Sequence, residues 1–396
     1  MRQRKSVSWV LLAAALTLGA MIALSGCGGF FTAQNNNPTG GSSGYVYVTN
    51  AGGTMAEYSL SSGVLTGLSG SPISISVPPT SVVAAPNNAF LYVGTTTGIF
   101  MYTINSDGTL TEGNNDTVIF LNQNLATGTS TLASVKSMVV DATSSWLIIA
   151  YQGSDEIDAL SIDPTTGLAN STQAFPATAT YNNDPNPQLA ISPANNQVFV
   201  ALGTGGTNAF GFNANATGTT SPWAGGNRVA IALAPTSVSA NAVAVDSSSK
   251  YLFVAESASS TTSPAGMVRV ISTASPANPD LDDETTGVSP SAVLADLTGA
   301  YVYVTNGTDG TISGFSLNTT TQKLTSLGTA TPSEQSPVAL VEDSSKSYVI
   351  DVGNGNNPNL WLYSFDASSA GVLDVGSTRS TSSTNPSVAT GIAATH

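Results

Sequence analysis

The chain has 396 residues, of which only 9% are charged and 41% hydrophobic, so it is neither a disordered polyelectrolyte nor a charged coiled coil. After Cys27, seven Lys and Arg stand against twenty-four Asp and Glu, a net charge of −17. That balance, with no cluster of cations to neutralise phosphates, excludes nucleic acid as a partner, and the single cysteine excludes an intrachain disulfide framework or a CxxC metal site.

At the N-terminus Arg2, Arg4 and Lys5 precede a nearly all-apolar stretch, Ser6 to Leu24, the layout of a secretory signal. It ends in Leu24-Ser25-Gly26-Cys27, which resembles the bacterial lipobox, and the only cysteine stands where such a signal requires one. The resemblance implies cleavage after residue 26 and acylation of Cys27, giving a lipid anchor in the membrane. An uncleaved spanning helix is the alternative, since the stretch is just long enough. Gly28 follows, without the Asp that marks inner-membrane retention, so the outer membrane or cell surface of a bacterium is the expected location. The predicted division is a signal peptide over 1–26, a flexible Gly/Asn/Ser-rich tether over 27–44 and a folded body over 45–396.

The body is repetitive. "YVYVTN" occurs at 45–50 and again at 301–306, and related strands stand at 90–95, 146–151, 197–202, 251–256 and 347–352, making seven copies 45 to 56 residues apart. Before each later copy comes a small-residue strand, as in "SVVAAP" (81–86) and "SAVLADL" (291–297). After each comes a third strand with aromatic or bulky apolar residues, as in "IFMYTI" and "LWLYSF", and then a weaker fourth. Four antiparallel strands per repeat predict an all-β fold, a seven-bladed β-propeller; a β-sandwich would not require such regular spacing. Small residues suit strands crowded round a central channel, and the largest side chains are expected on the third strands, where the wedge widens. The first copy has no small-residue strand before it, and "PSVATGIAATH" (386–396) has no partner after it. The C-terminal strand is therefore expected to close the ring as the inner strand of the first blade.

With these repeats the chain resembles the YVTN-repeat propellers and the lactonase family, the 6-phosphogluconolactonase-like group; its best stretch is "YVYVTNGTDGTISGFSLNTTTQKLTSLG" (301–328). The resemblance implies a ligand site at the channel mouth, where Ser81, Lys136, Gln188, Asn241, Ser291, Gln335 and Asn385 are the candidates and Arg379 could reach in. It also implies His and Arg beside the Pro that opens an inner strand, and here "PPTSVV", "SPSAVL" and "QSPVAL" hold neither. The only histidine, His396, is expected to be an exposed terminal side chain. Arg269, on a third strand, is expected to be structural. The acidic run Asp280, Asp282, Asp283 and Glu284 lacks the Gly and distal Glu of an EF-hand loop, so it reads as a solvated loop rather than a metal site. Asp155 and Glu156 read as turn charges. No cofactor is expected. With the needed catalytic residue types missing, the residues favour a cell-envelope binding or scaffolding module, with an envelope protein or a carbohydrate as ligand. The alternative is a lactonase-like hydrolase of sugar lactones.

Overall fold

A computed structural model describes residues 44–396 apart from 114–121, 124–130, 133, 155, 179–185, 225–227, 259–263, 279, 356 and 384–387. Two units are distinguished, Met1–Gly41 and Ser42–His396. The first lies outside the described residues, as do the signal, Cys27 and the tether through residue 43. The second unit is all-β: seven four-stranded antiparallel blades and, among the described residues, no helix.

Strands run outward from the channel in chain order. Blade two, for example, is Pro79–Ala84, Phe90–Thr95, Ile99–Ile104 and Leu110–Glu112. Blade one takes its inner strand from the far end of the chain. Ala389–Ala394 pairs antiparallel with Gly44–Asn50, putting Val46 opposite Ala394 and Val48 opposite Ile392. His396 is not frayed. Its backbone N–H donates to Asn88 Oδ1 at 2.7 Å and its carbonyl accepts from Asn88 Nδ2 at 2.6 Å, which ties the closing strand to blade two.

The core is divided into seven buried clusters, one per blade interface. Alternation within "YVYVTN" explains how one strand serves two of them. Val46 and Val48 pack on Ile350 and Val352 of blade seven, while Tyr47 packs on Leu91 and Val93 of blade two. A strand covered on both faces reads as a continuous apolar run, and Phe90–Thr95 and Trp146–Tyr151 are buried at every position.

The expected size gradient needs correction. Most of the largest fully buried side chains, including Trp146, Tyr47, Tyr92, Tyr151, Tyr303, Phe199 and Phe253, lie on second strands rather than third strands. Their polar tips explain why. Tyr47, Tyr92 and Tyr303 each donate a hydroxyl, at 2.7 Å, to the carbonyl of Gly108, Gly167 and Gly371 in the outer turn of the following blade. Two residues earlier, the rings of Tyr45, Phe90 and Tyr301 lie 2.1–2.3 Å from where a Cβ on those glycines would stand. The glycines also have φ of +74° to +83°, so both the close approach and the backbone require them. The motif is thus a staple between blades.

A second recurring device shapes the turns from inner to second strand. Asp141, Asp246, Asp296 and Asp343 each accept, through Oδ1, the backbone N–H groups four and five residues on, at 2.6–2.9 Å. Oδ2 takes the Ser or Thr hydroxyl two residues on. This is an Asx-type turn, and it accounts for the "DSSSK" and "DSSKS" stretches.

Candidate functional site

Each inner strand begins at the channel mouth, and there the register shifts. Partners skip one residue in six blades, passing over Thr80, Lys136, Asn241, Ser291, Val338 and Thr390. A β-bulge turns the extra side chain away from the sheet and re-aims it. Three bulged side chains reach across to the next blade. Thr80 Oγ1 donates to Val135 O, Asn241 Nδ2 to Pro290 O at 2.6 Å, and Ser291 Oγ to Pro337 O at 2.6 Å. Each acceptor is the first residue of the next inner strand, so these hydrogen bonds form a collar between blades.

Inside the collar lies a cavity of ≈ 530 Å³ to which six of the seven blades contribute. Lys136, Gln188, Asn241 and Ser291 line it, joined by Asn186, Asn354 and Thr390, with Val338 and Val388 supplying apolar surface. Ser289 and Ser336, also in the wall, have φ of +56° and +54°. Both precede a proline, which ordinarily favours extended backbone, so the rim holds local strain of a kind found at binding sites.

Four of the candidates named from sequence therefore meet at one cavity, and the others lie elsewhere. Ser81 is one residue past the bulge, which falls on Thr80; it is buried beside Gly94, with no hydrogen-bond partner for its Oγ among the described residues. Gln335 is exposed and covers Gly355, leaving Ser336 in the wall. Arg379 ends an outermost strand. It donates Nε–H to Leu65 O of blade one at 2.9 Å, so it joins two blades at the periphery instead of entering the mouth. Asn385 and Asp155 lie outside the described residues.

The acidic run does not converge. Asp280 forms a two-point ion pair with Arg269, at 2.7 and 2.8 Å, and Asp282 caps the Leu324 N–H at 2.8 Å. Asp283 and Glu284 follow on an outer strand whose side chains alternate in direction. Among the described residues no three His, Cys, Asp or Glu are placed to hold a metal ion.

Sequence reading missed one titratable group. Glu334 sits directly behind the Ser336–Asn354 wall, 3% exposed. Burial and the nearby Asp351 carboxyl push it up to about 8, against a hydrogen bond from the Gly355 N–H. Asp351 is fully buried and pushed up by that burial to about 7, opposed by hydrogen bonds from Ser333 and Tyr363. The available signal was an acid in the loop that feeds an inner strand, facing a glycine-rich "VGNGN".

The family model for lactonase, 7-bladed β-propeller, matches residues 43–387. The chain belongs to the lactonase family of seven-bladed propellers. A periplasmic gluconolactonase from Pseudomonas aeruginosa superposes with a TM-score of 0.63 at 15% identity, covering 89% of this chain and 99% of its own. A protein of Bacteroides fragilis provisionally described as a 6-phosphogluconolactonase gives 0.64 at 13% identity, covering 89% and 98%. One from Bacteroides uniformis with the same provisional description gives 0.65 at 12%, covering 89% and 99%. At such identities these likenesses speak for the fold alone. No curated protein sequence matches. Membership of the lactonase family corrects the reading of the mouth as a binding or scaffolding module, and the hydrolase alternative takes its place.

Proposed function

We propose that this lactonase-family propeller hydrolyses an uncharged sugar lactone at the channel mouth. The family match, which spans the ring from 43 to 387, carries the reading. The lining supports the substrate class. Asn186, Gln188, Asn241 and Thr390 offer neutral donors and acceptors suited to hydroxyl groups, and Val338 and Val388 suit the carbon face of a ring. A single lining cation, Lys136, and a body of net charge −17 are a poor match for a phosphorylated substrate.

In this scheme water attacks the lactone carbonyl, the ring C–O bond breaks, the former ring oxygen takes a proton, and a hydroxy acid leaves. Lys136 supplies the positive group toward which charge develops on the carbonyl oxygen. The test is turnover of D-glucono-δ-lactone above its spontaneous opening. Lys136→Met is expected to lower kcat/KM about 10²-fold, the cost of removing one donor to such an oxyanion. Unchanged turnover in that variant, or none in the wild type, overturns the reading.

We also propose export and lipid anchoring through Cys27, supported by the lipobox-like Leu24–Cys27 and the charged, apolar segment before it. Mass spectrometry of the protein expressed in a bacterium is expected to find Cys27 acylated and residues 1–26 removed. Cys27→Ser is expected to stay unprocessed and leave the membrane fraction unlipidated. An unmodified Cys27 in the wild type sinks the proposal.

A further inference from the structure

Two carboxyls share a buried pocket between blades six and seven. Glu334 Oε1 has no hydrogen-bond partner among the described residues, and Oε2 accepts the Gly355 N–H at 3.3 Å. Asp351 is better served, by Ser333 Oγ on Oδ2 and by the Tyr363 hydroxyl on Oδ1 at 3.3 Å. An ionised carboxylate buried without a cation costs several kcal/mol, so a carboxyl left this way is either neutral or on its way out.

The backbone is shaped round Glu334. A Cβ on Gly353 would stand 1.2 Å from Oε1, so the carboxyl fills the space of the missing side chain. A Cβ on Gly355 would stand 2.5 Å from both Gln335 Cβ and its carbonyl. Between these glycines Asn354 faces the mouth cavity and donates its N–H to Ser336 O at 3.1 Å. Ser336 is the strained residue of this wall. Glu334 thus lies where the loop entering blade seven interlocks with the loop leaving its second strand.

We propose that Glu334 is a positioning residue: protonated, it locks the Asn354 loop against Ser336 and completes the blade-seven wall of the mouth, and its ionisation releases that wall. The titratable groups facing it are Asp351 from the second strand and Tyr363 from the third. One is an acid and the other a phenol, so neither favours the carboxylate, and against burial and Asp351 stands the 3.3 Å hydrogen bond from the Gly355 N–H. With Glu334 held at about 8 in the locked state, and an ordinary carboxyl near 4.3 once released, the proton binds more tightly to the locked form. Locking is complete in acid and is lost as pH rises through about 8.

Trp361 reports on the same loop. Its Nε1–H donates to Pro358 O at 3.1 Å, and its ring stacks beside Tyr363 with centroids 6.5 Å apart. Its emission in the full chain, followed from about pH 6 to about pH 9.5 with Trp361→Phe as the blank, is expected to show one sigmoidal step in the wild type. Glu334→Gln, which imitates the protonated form, is expected to abolish the step. Asp351→Asn, which leaves burial in place but removes the carboxyl that adds to it in raising Glu334, is expected to move it to lower pH. A step that persists in Glu334→Gln, or a wild type with none, overturns the proposal. Should Glu334→Gln fail to fold, an unmoved midpoint in Asp351→Asn overturns it equally. The consequence for catalysis rests on the lactone reading: KM is expected to rise with pH through the same midpoint in the wild type and stay level in Glu334→Gln, with kcat unmoved. Absence of turnover alongside the emission step would remove the lactone reading and leave the lock standing.

Discussion

Arg269→Met is expected to cost about 3–5 kcal/mol, read as a lower urea midpoint with an unchanged slope. Arg269, on the third strand of blade five, is 7% exposed and is held at four points. Nη1 donates to Glu256 Oε1 at 2.5 Å and to Ala232 O at 2.8 Å, while Nε and Nη2 grip the two oxygens of Asp280. Burial pulls its pKa down, but the two carboxylates outweigh that and leave it above its ordinary value, so the guanidinium stays charged. The side chains of its partners are 1% and 24% exposed, so most of the loss comes from stranding Glu256 rather than Asp280. Arg269→Lys is expected to recover only part of the loss, because an ammonium cannot reproduce the fork. A deficit under about 1 kcal/mol, the range of an exposed pair, contradicts this account.

Removing residues 388–396 is expected to do more: followed by circular dichroism, the intact protein is expected to unfold in a single cooperative transition and the truncated one to show none. The deletion strips the inner strand from blade one, exposing the hydrogen-bonding edge of Gly44–Asn50. It also takes away buried Ala389, Ile392 and Ala393, and with them part of the clusters that join blade one to blades seven and two. The acceptor for the Tyr45 N–H, Thr395 Oγ1 at 2.9 Å, and the His396–Asn88 tie go too. An open ring presents two unpaired blade faces, and aggregation is the expected fate of such an edge. Cooperative melting of the truncated protein at the wild-type midpoint would refute closure by this strand.

Both results depend on features of unequal legibility. The ring closure could be read directly, because a strand without a partner at each end of a four-strand repeat leaves one solution. The ion-pair triad could be read only in part. Arg269 stood out as a cation on a third strand, but nothing in "PDLDDE" distinguishes Asp280, which turns inward to it, from Asp283, which faces solvent. That difference arises where the loop enters the outer strand, and the pattern of residues does not record it.

The mouth shows the same division. Its location followed from topology, and Lys136, Gln188, Asn241 and Ser291 line the cavity. Ser81 went astray by one residue because the inner strand of blade two, like those of five other blades, carries a bulge at its start, and a bulge inverts which side chain leaves the sheet. Arg379 went astray because distance along the chain to an inner strand says little about distance to the channel. The last fourth-strand residue lies a blade's width away, on the rim.

By itself, then, the sequence determined the architecture. Periodic apolar runs of fixed length, separated by turn residues, admit one closed arrangement that buries all seven second strands on both faces. The tertiary structure alone decided which polar groups meet. Glu334 is unremarkable in "TPSEQSPV" and becomes a buried carboxyl with one unpartnered oxygen because Gly353, from a loop some twenty positions later in the chain, leaves the space it fills. Burial patterns repeat along a chain and can be read locally. The encounter of a loop from one strand with a loop from another depends on backbone position to within an ångström, and residue types do not carry that.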